Sequence, residues 1–122
     1  MMSSLRPDQD YTYYRVGTVD DFIERIGRKV KVEQADIAVF KTSEGEWFAL
    51  ENRSPGPRGG TLAEGIVSGT LLYDPICDWR IRLTDGEVMD PDSGKVQTYP
   101  IHIEENEVRI GIPKSEGGEA NG

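Results

Sequence analysis

Tyr73-Asp74-Pro75-Ile76-Cys77-Asp78-Trp79-Arg80-Ile81-Arg82-Leu83-Thr84-Asp85-Gly86 is the stretch whose reading decides the fold. Trp79, Ile81 and Leu83 alternate with Arg80 and Arg82, the period-two pattern of a strand with one buried face. Asp85-Gly86 then sets a tight turn into Val88. Ahead of the strand, Asp74 before Pro75 is turn chemistry. A second loop of similar character lies upstream: Asn52-Arg53-Ser54-Pro55-Gly56-Pro57-Arg58-Gly59-Gly60-Thr61-Leu62-Ala63-Glu64-Gly65. Its Pro57-Arg58-Gly59-Gly60 segment reads as a tight turn in which two glycines admit positive φ. The other use of such a turn is to present backbone N–H groups to an anion.

Working outward, most of the chain has strand character. Tyr11-Thr12-Tyr13-Tyr14-Arg15-Val16 is aromatic and β-prone. Thr18 can cap a short helix with Asp20 and Asp21 in its first turn. Phe22, Ile23 and Ile26 would share one face of that helix over about two turns, with Gly27 as its stop. Val30–Glu33 alternates, Ile37–Phe40 is a buried-type run, and Ser43–Glu46 is a turn into Trp47–Glu51. Leu71–Tyr73 is a further strand. Residues 100–104 and 107–110 form a final hairpin around Glu105-Asn106. Many short strands with Gly and Pro turns predict a mostly β protein, a small antiparallel sandwich or barrel with one short helix near the N-terminus. Residues 1–10 are polar and expected to be disordered, 11–113 form a single domain, and 114–122 are expected to be a flexible tail.

The 122 residues allow one domain with a small core. A formal net charge of −8 argues against nucleic acid as a partner. The one basic cluster, Arg25, Arg28, Lys29 and Lys31, suits a helix C-terminus and the solvent side of a strand. No apolar run is long enough to span a membrane. Residues 1–7 lack the apolar core of a secretory signal, so a cytoplasmic protein is expected. Cys77 is the single cysteine, which leaves no internal disulfide.

The two loops together resemble the cluster-binding loops of Rieske [2Fe–2S] domains. That family reads Cys-Pro-His in its first loop, closes it with Leu-x-x-Gly, and reads Cys-Pro-x-His in its second. Thr61-Leu62-Ala63-Glu64-Gly65 keeps the Leu-x-x-Gly signature. Asp74-Pro75-Ile76-Cys77 keeps the proline, and 17 residues separate Gly56 from Asp74, within the spacing the family uses. The resemblance runs from the Tyr-rich first strand to the last hairpin, and so implies a Rieske-like fold. It puts the four ligand positions on Ser54, Gly56, Asp74 and Cys77. Such a cluster takes two thiolates and two imidazoles, and these residues do not supply them. No catalytic residue, metal ligand or cofactor is therefore expected in this chain.

One branch of this family, the small subunit of assimilatory NAD(P)H-dependent nitrite reductase, is similar in its Asn-Arg-Ser-Pro and Tyr-Asp-Pro…Asp-Trp loops. That resemblance implies a non-catalytic subunit of an enzyme that reduces nitrite to ammonium. Its partner would be a large subunit carrying flavin, sirohaem and a [4Fe–4S] cluster. Alternatives are a Rieske-type ferredoxin electron carrier and a stand-alone cluster-less binding module. Docking candidates are Arg53, Arg58, Ile76 and Trp79, with Ile66 as a further apolar candidate. Trp79 is equally a core residue by its alternation with Ile81. Cys77 reads as a small packing residue or, less simply, a reactive thiol. Asp74 is expected to accept hydrogen bonds from backbone amides, to pair with Arg53 or Arg58, or to stand solvated before Pro75. His102, flanked by Ile101 and Ile103, is expected to face solvent.

Overall fold

The computed structural model describes residues 11–56 and 59–114. Within them the strands are β1 (Tyr11–Thr18), β2 (Arg28–Val32), β3 (Ala35–Lys41), β4 (Trp47–Glu51), β5 (Ile66–Ser68), β6 (Leu71–Tyr73), β7 (Arg80–Arg82), β8 (Thr98–Tyr99), β9 (Ile101–Glu104) and β10 (Glu107–Pro113). They form three antiparallel sheets, in the orders β1-β10-β9, β2-β3-β4-β8 and β5-β6-β7. The mostly β, Rieske-like architecture read from the sequence is the one observed. The disorder expected at 1–10 and, beyond Lys114, the mobile tail fall outside the described residues.

The four-stranded sheet is the middle layer, and β3 shows why its sequence is a continuous apolar run. Ile37 and Val39 point to one face, where they pack with Phe22, Val32, Ala49, Val108 and Ile110. Ala38 and Phe40 point to the other, against Leu50, Leu62, Leu72, Ile81 and Leu83. All four β3 side chains are fully buried, as a strand covered on both sides requires. Burying each larger one contributes about 1.5–3 kcal/mol.

The short helix after β1 is a single 3-10 turn, Val19–Asp21, and it ends well before Gly27. Thr18 is its N-cap residue, as expected, but the bond there runs from its backbone: the Asp21 carboxylate accepts the Thr18 amide at 2.9 Å. Phe22 then turns extended, at φ −117° and ψ 132°, and sends its ring edge-on to Trp47 at 5.4 Å. Tertiary packing of that ring overrides the helical pattern. Ile23 and Ile26 are left exposed instead of sharing a buried face with Phe22. The last hairpin turns on Glu105 and Asn106, both at positive φ (48° and 75°), as the twist of a two-residue connection demands.

The long first loop joins β4 to β5, and the second loop joins β6 to β7. The small β5-β6-β7 sheet thus places the two loops side by side at one end of the molecule.

Candidate functional site

Each loop is closed by its own backbone. In the first, the Ser54 amide donates to the Gly60 carbonyl at 2.9 Å, and Gly59 and Gly60 adopt φ of 68° and 107°. The positive φ expected of the two glycines is therefore present. In the second, the Asp74 amide donates to the Trp79 carbonyl at 2.8 Å, and the Asp78 amide to the Asp74 carbonyl at 3.0 Å. Asn52 anchors the base of the first loop, its side-chain oxygen accepting the Ala63 amide at 2.8 Å.

Ser54, Gly56, Asp74 and Cys77 come together at the tip. Asp74 is 1% exposed and Ser54 6% exposed. The Ser54 hydroxyl donates to Asp74 Oδ2, and its oxygen accepts the Gly56 amide at 3.0 Å. Asp74 Oδ1 accepts the amides of Ile76 at 2.8 Å and Cys77 at 3.1 Å. A buried carboxylate is costly unless its lone pairs are satisfied, and here both oxygens are. Of the partners expected for Asp74, backbone amides are the ones it uses; among the described residues no ion pair joins it to Arg53. Arg53 is exposed, and Arg58 lies outside the described residues. Ser54 as a donor was missed, because nothing in sequence marks a serine as the mate of a carboxylate 20 residues away.

Cys77 is half-buried, and a Cβ built on Gly56 would lie 2.8 Å from its sulfur. The backbone of one loop therefore rests against the side chain of the other, and a Cβ at Gly56 would have to displace the Cys77 sulfur. Ile76 is 49% exposed at the end of the second loop, beside Gly60. Trp79 is half-buried and packs on the core cluster that contains Phe40, Leu72 and Ile81. Ile66 is not at the tip; it begins β5, opposite Tyr73. His102 is exposed, as expected, with its ring tilted on Tyr13 at 5.2 Å.

The donor set does not fit a [2Fe–2S] cluster. The tip offers one thiol, a hydroxyl and a carboxylate already bonded to each other, and a glycine with no donor. Among the described residues no group of three or more His, Cys, Asp or Glu side chains is placed to hold a metal ion. No described helix is long and apolar enough to cross a membrane.

A middle sheet flanked by two smaller ones, with paired loops projecting from one of them, defines the Rieske-like architecture. Residues 12–111 match the Rieske-like [2Fe-2S] domain, and the chain belongs to that family. It is 26% identical over 97 residues to the nitrite reductase [NAD(P)H] large subunit of Klebsiella oxytoca. That match takes in 76% of this chain but 10% of the relative, so the chain spans about a tenth of the length of the curated protein it matches. Among solved structures, a candidate NADH-dependent nitrite reductase small subunit from Mycobacterium tuberculosis superposes with a TM-score of 0.77 at 22% identity, covering 84% of this chain and 96% of that one. The ferredoxin of Sphingomonas yanoikuyae B1 superposes with a TM-score of 0.71 at 25% identity, covering 84% and 100%.

Proposed function

We propose that this chain is the non-catalytic small subunit of a cytoplasmic, assimilatory NAD(P)H-dependent nitrite reductase, docking to and stabilising the large subunit that reduces nitrite to ammonium. The observation that carries the reading is the Ser54–Asp74 bond: two side chains at the positions of the family's cluster ligands are spent on tying the loops to each other. A loop pair tied together in this way is suited to contact. The similarity to a nitrite reductase small subunit supports the choice of partner. So does the Klebsiella protein, in which a domain resembling this chain is part of the large-subunit polypeptide itself. Flavin, sirohaem and the [4Fe–4S] cluster would belong to the partner. A ferredoxin role would need thiolate and imidazole ligands that Ser54, Gly56, Asp74 and Cys77 do not provide.

The contact is assigned to the tip, residues 53–60 and 74–79, with Arg53, Arg58, Ile76 and Trp79 as its docking side chains. The test is reconstitution with the large subunit purified alone. Adding this chain is expected to raise NAD(P)H-dependent nitrite reduction or the thermal stability of the large subunit, and to form a stable complex. Arg58→Glu and Ile76→Asp are expected to weaken that complex while leaving circular dichroism unchanged, since Ile76 lies in loop rather than sheet and the sequence around Arg58 reads as a turn. No binding and no effect by the wild-type chain would end this reading.

A further inference from the structure

The positions that resemble cluster ligands lack the right donors, and the space between them is also occupied. Asp74 is buried, with one oxygen on the Ser54 hydroxyl and the other on the amides of Ile76 at 2.8 Å and Cys77 at 3.1 Å. Two thiolates that share an iron have the metal between them. Here the two side chains meet in a direct hydrogen bond. At the other pair, a Cβ built on Gly56 would stand 2.8 Å from the Cys77 sulfur and 3.5 Å from the Cys77 Cβ. A Cβ separation of about 3.5–4.5 Å is the reach of a disulfide, a bridge with no atom between its two sulfurs. Two imidazole rings and the iron they share would have to enter where glycine backbone and sulfur already touch.

The backbone of both loops is committed in the same way. The Gly56 amide donates to Ser54 Oγ at 3.0 Å. The Gly59 amide donates to the Gly56 carbonyl at 3.2 Å, and the Asp78 amide to the Asp74 carbonyl at 3.0 Å. Hydrogen bonds to the cluster sulfurs help to set the properties of an iron–sulfur centre. Donors already held by Ser54 and Asp74 are not free to make them.

We infer that the tip is a filled site: its loops have closed over the space a [2Fe–2S] cluster would take, so loop spacing excludes the cluster independently of which side chains stand there. This goes beyond the function proposed above and does not rest on it. Its consequence is that returning two cysteines and two histidines to the four positions is not enough to restore a centre.

Three measurements test it. In the wild type, the amides of Gly56, Ile76 and Cys77 are expected to exchange with solvent at least about tenfold more slowly than in an unstructured peptide. Exchange at the unstructured rate would overturn the closure, and this measurement needs no variant that must first fold. Gly56→Cys meets no backbone obstacle, because Gly56 lies outside the left-handed region. Treated with diamide, the variant is expected to form a disulfide between the introduced thiol and Cys77 within one chain. The two thiol hydrogens pass to diamide, and the mass of the chain falls by two hydrogens. A folded variant that keeps both thiols free would show the loops standing apart and overturn the inference. Finally, the chain carrying Ser54→Cys, Gly56→His, Asp74→Cys and Cys77→His is refolded anaerobically with iron and sulfide, since a metal site and its fold can form together. The expected result is a chain without bound iron, sulfide or visible absorption. A stoichiometric cluster in that chain would overturn the inference, because the frame would then have kept its room and lost only its ligands.

Discussion

Ser54 donates its hydroxyl hydrogen to Asp74 Oδ2 across 20 residues of sequence, tying the first loop to the second. These two residues stand at the positions that resemble the family's cysteines. The positions that resemble its histidines, Gly56 and Cys77, meet separately, with glycine backbone against sulfur. In a Rieske centre the two imidazoles sit on one iron and the two thiolates on the other. The same division of positions into two pairs survives here as a hydrogen bond and a packing contact.

Removing either partner should expose the cost of that arrangement. Asp74→Ala discards three accepted hydrogen bonds and is expected to destabilise the fold by about 2–4 kcal/mol. Ser54→Ala leaves a buried carboxylate oxygen short of a donor and is expected to cost about 1–3 kcal/mol. Urea unfolding of the two single variants and the double variant measures the coupling. Additive effects would show that the two side chains do not act as a pair.

Gly56→Ala pushes a methyl into the Cys77 sulfur. The expected loss is about 1–3 kcal/mol, the usual range for overpacking. Cys77→Ala in the same chain should recover most of it. Cys77→Ser alone is expected to cost at most about 1–2 kcal/mol, as befits a packing residue. A Gly56→Ala protein as stable as wild type would mean that the loops are free to part.

The purified chain is expected to be colourless between about 400 and about 600 nm and to contain no iron, since the colour of a [2Fe–2S] centre needs thiolate ligands. Anaerobic purification followed by metal and sulfide analysis tests this. Stoichiometric iron with sulfide would contradict it.

Asp85 provides a pH test away from the tip. The Arg82 guanidinium hydrogen-bonds its carboxylate, the Glu87 amide adds another bond, and together they lower its pKa from the ordinary 3.8 to about 2. A depressed carboxylate stabilises the fold above its unfolded pKa, and the contribution is lost as pH falls through the folded value. The stability difference between wild type and Asp85→Asn should therefore be constant at neutral pH and shrink below about pH 4. A carboxyl resonance of Asp85 titrating near 3.8 would refute the pairing in solution.

Strand positions were legible wherever side chains alternate against a core or where a strand is buried on both faces, as in Trp79–Leu83 and Ile37–Phe40. β5 and β8 escaped notice because they are two or three residues long and, unlike the wholly apolar and aromatic Leu71-Leu72-Tyr73, include Ser68 and Thr98, which read as loop. The helix was overextended because the pattern Phe22-Ile23-Ile26 fits a helical face equally well. Only the docking of Phe22 against Trp47 decides otherwise, and that contact belongs to the assembled fold. At the tip, the identity of the residues was plain from the loop spacing. The hydroxyl-to-carboxylate bond was not, since it depends on how β4 and β6 bring distant loops into register.

Tyr11 lies opposite Pro113 in the β1–β10 ladder, so the polypeptide enters and leaves the domain at neighbouring points. A unit wired in this way can be spliced into a surface loop of a larger protein without stretching its host, or be cut open elsewhere and rejoined at its original ends. The same fold can thus travel between genomes as a separate product or as a cassette inside another gene, with no redesign of its interior.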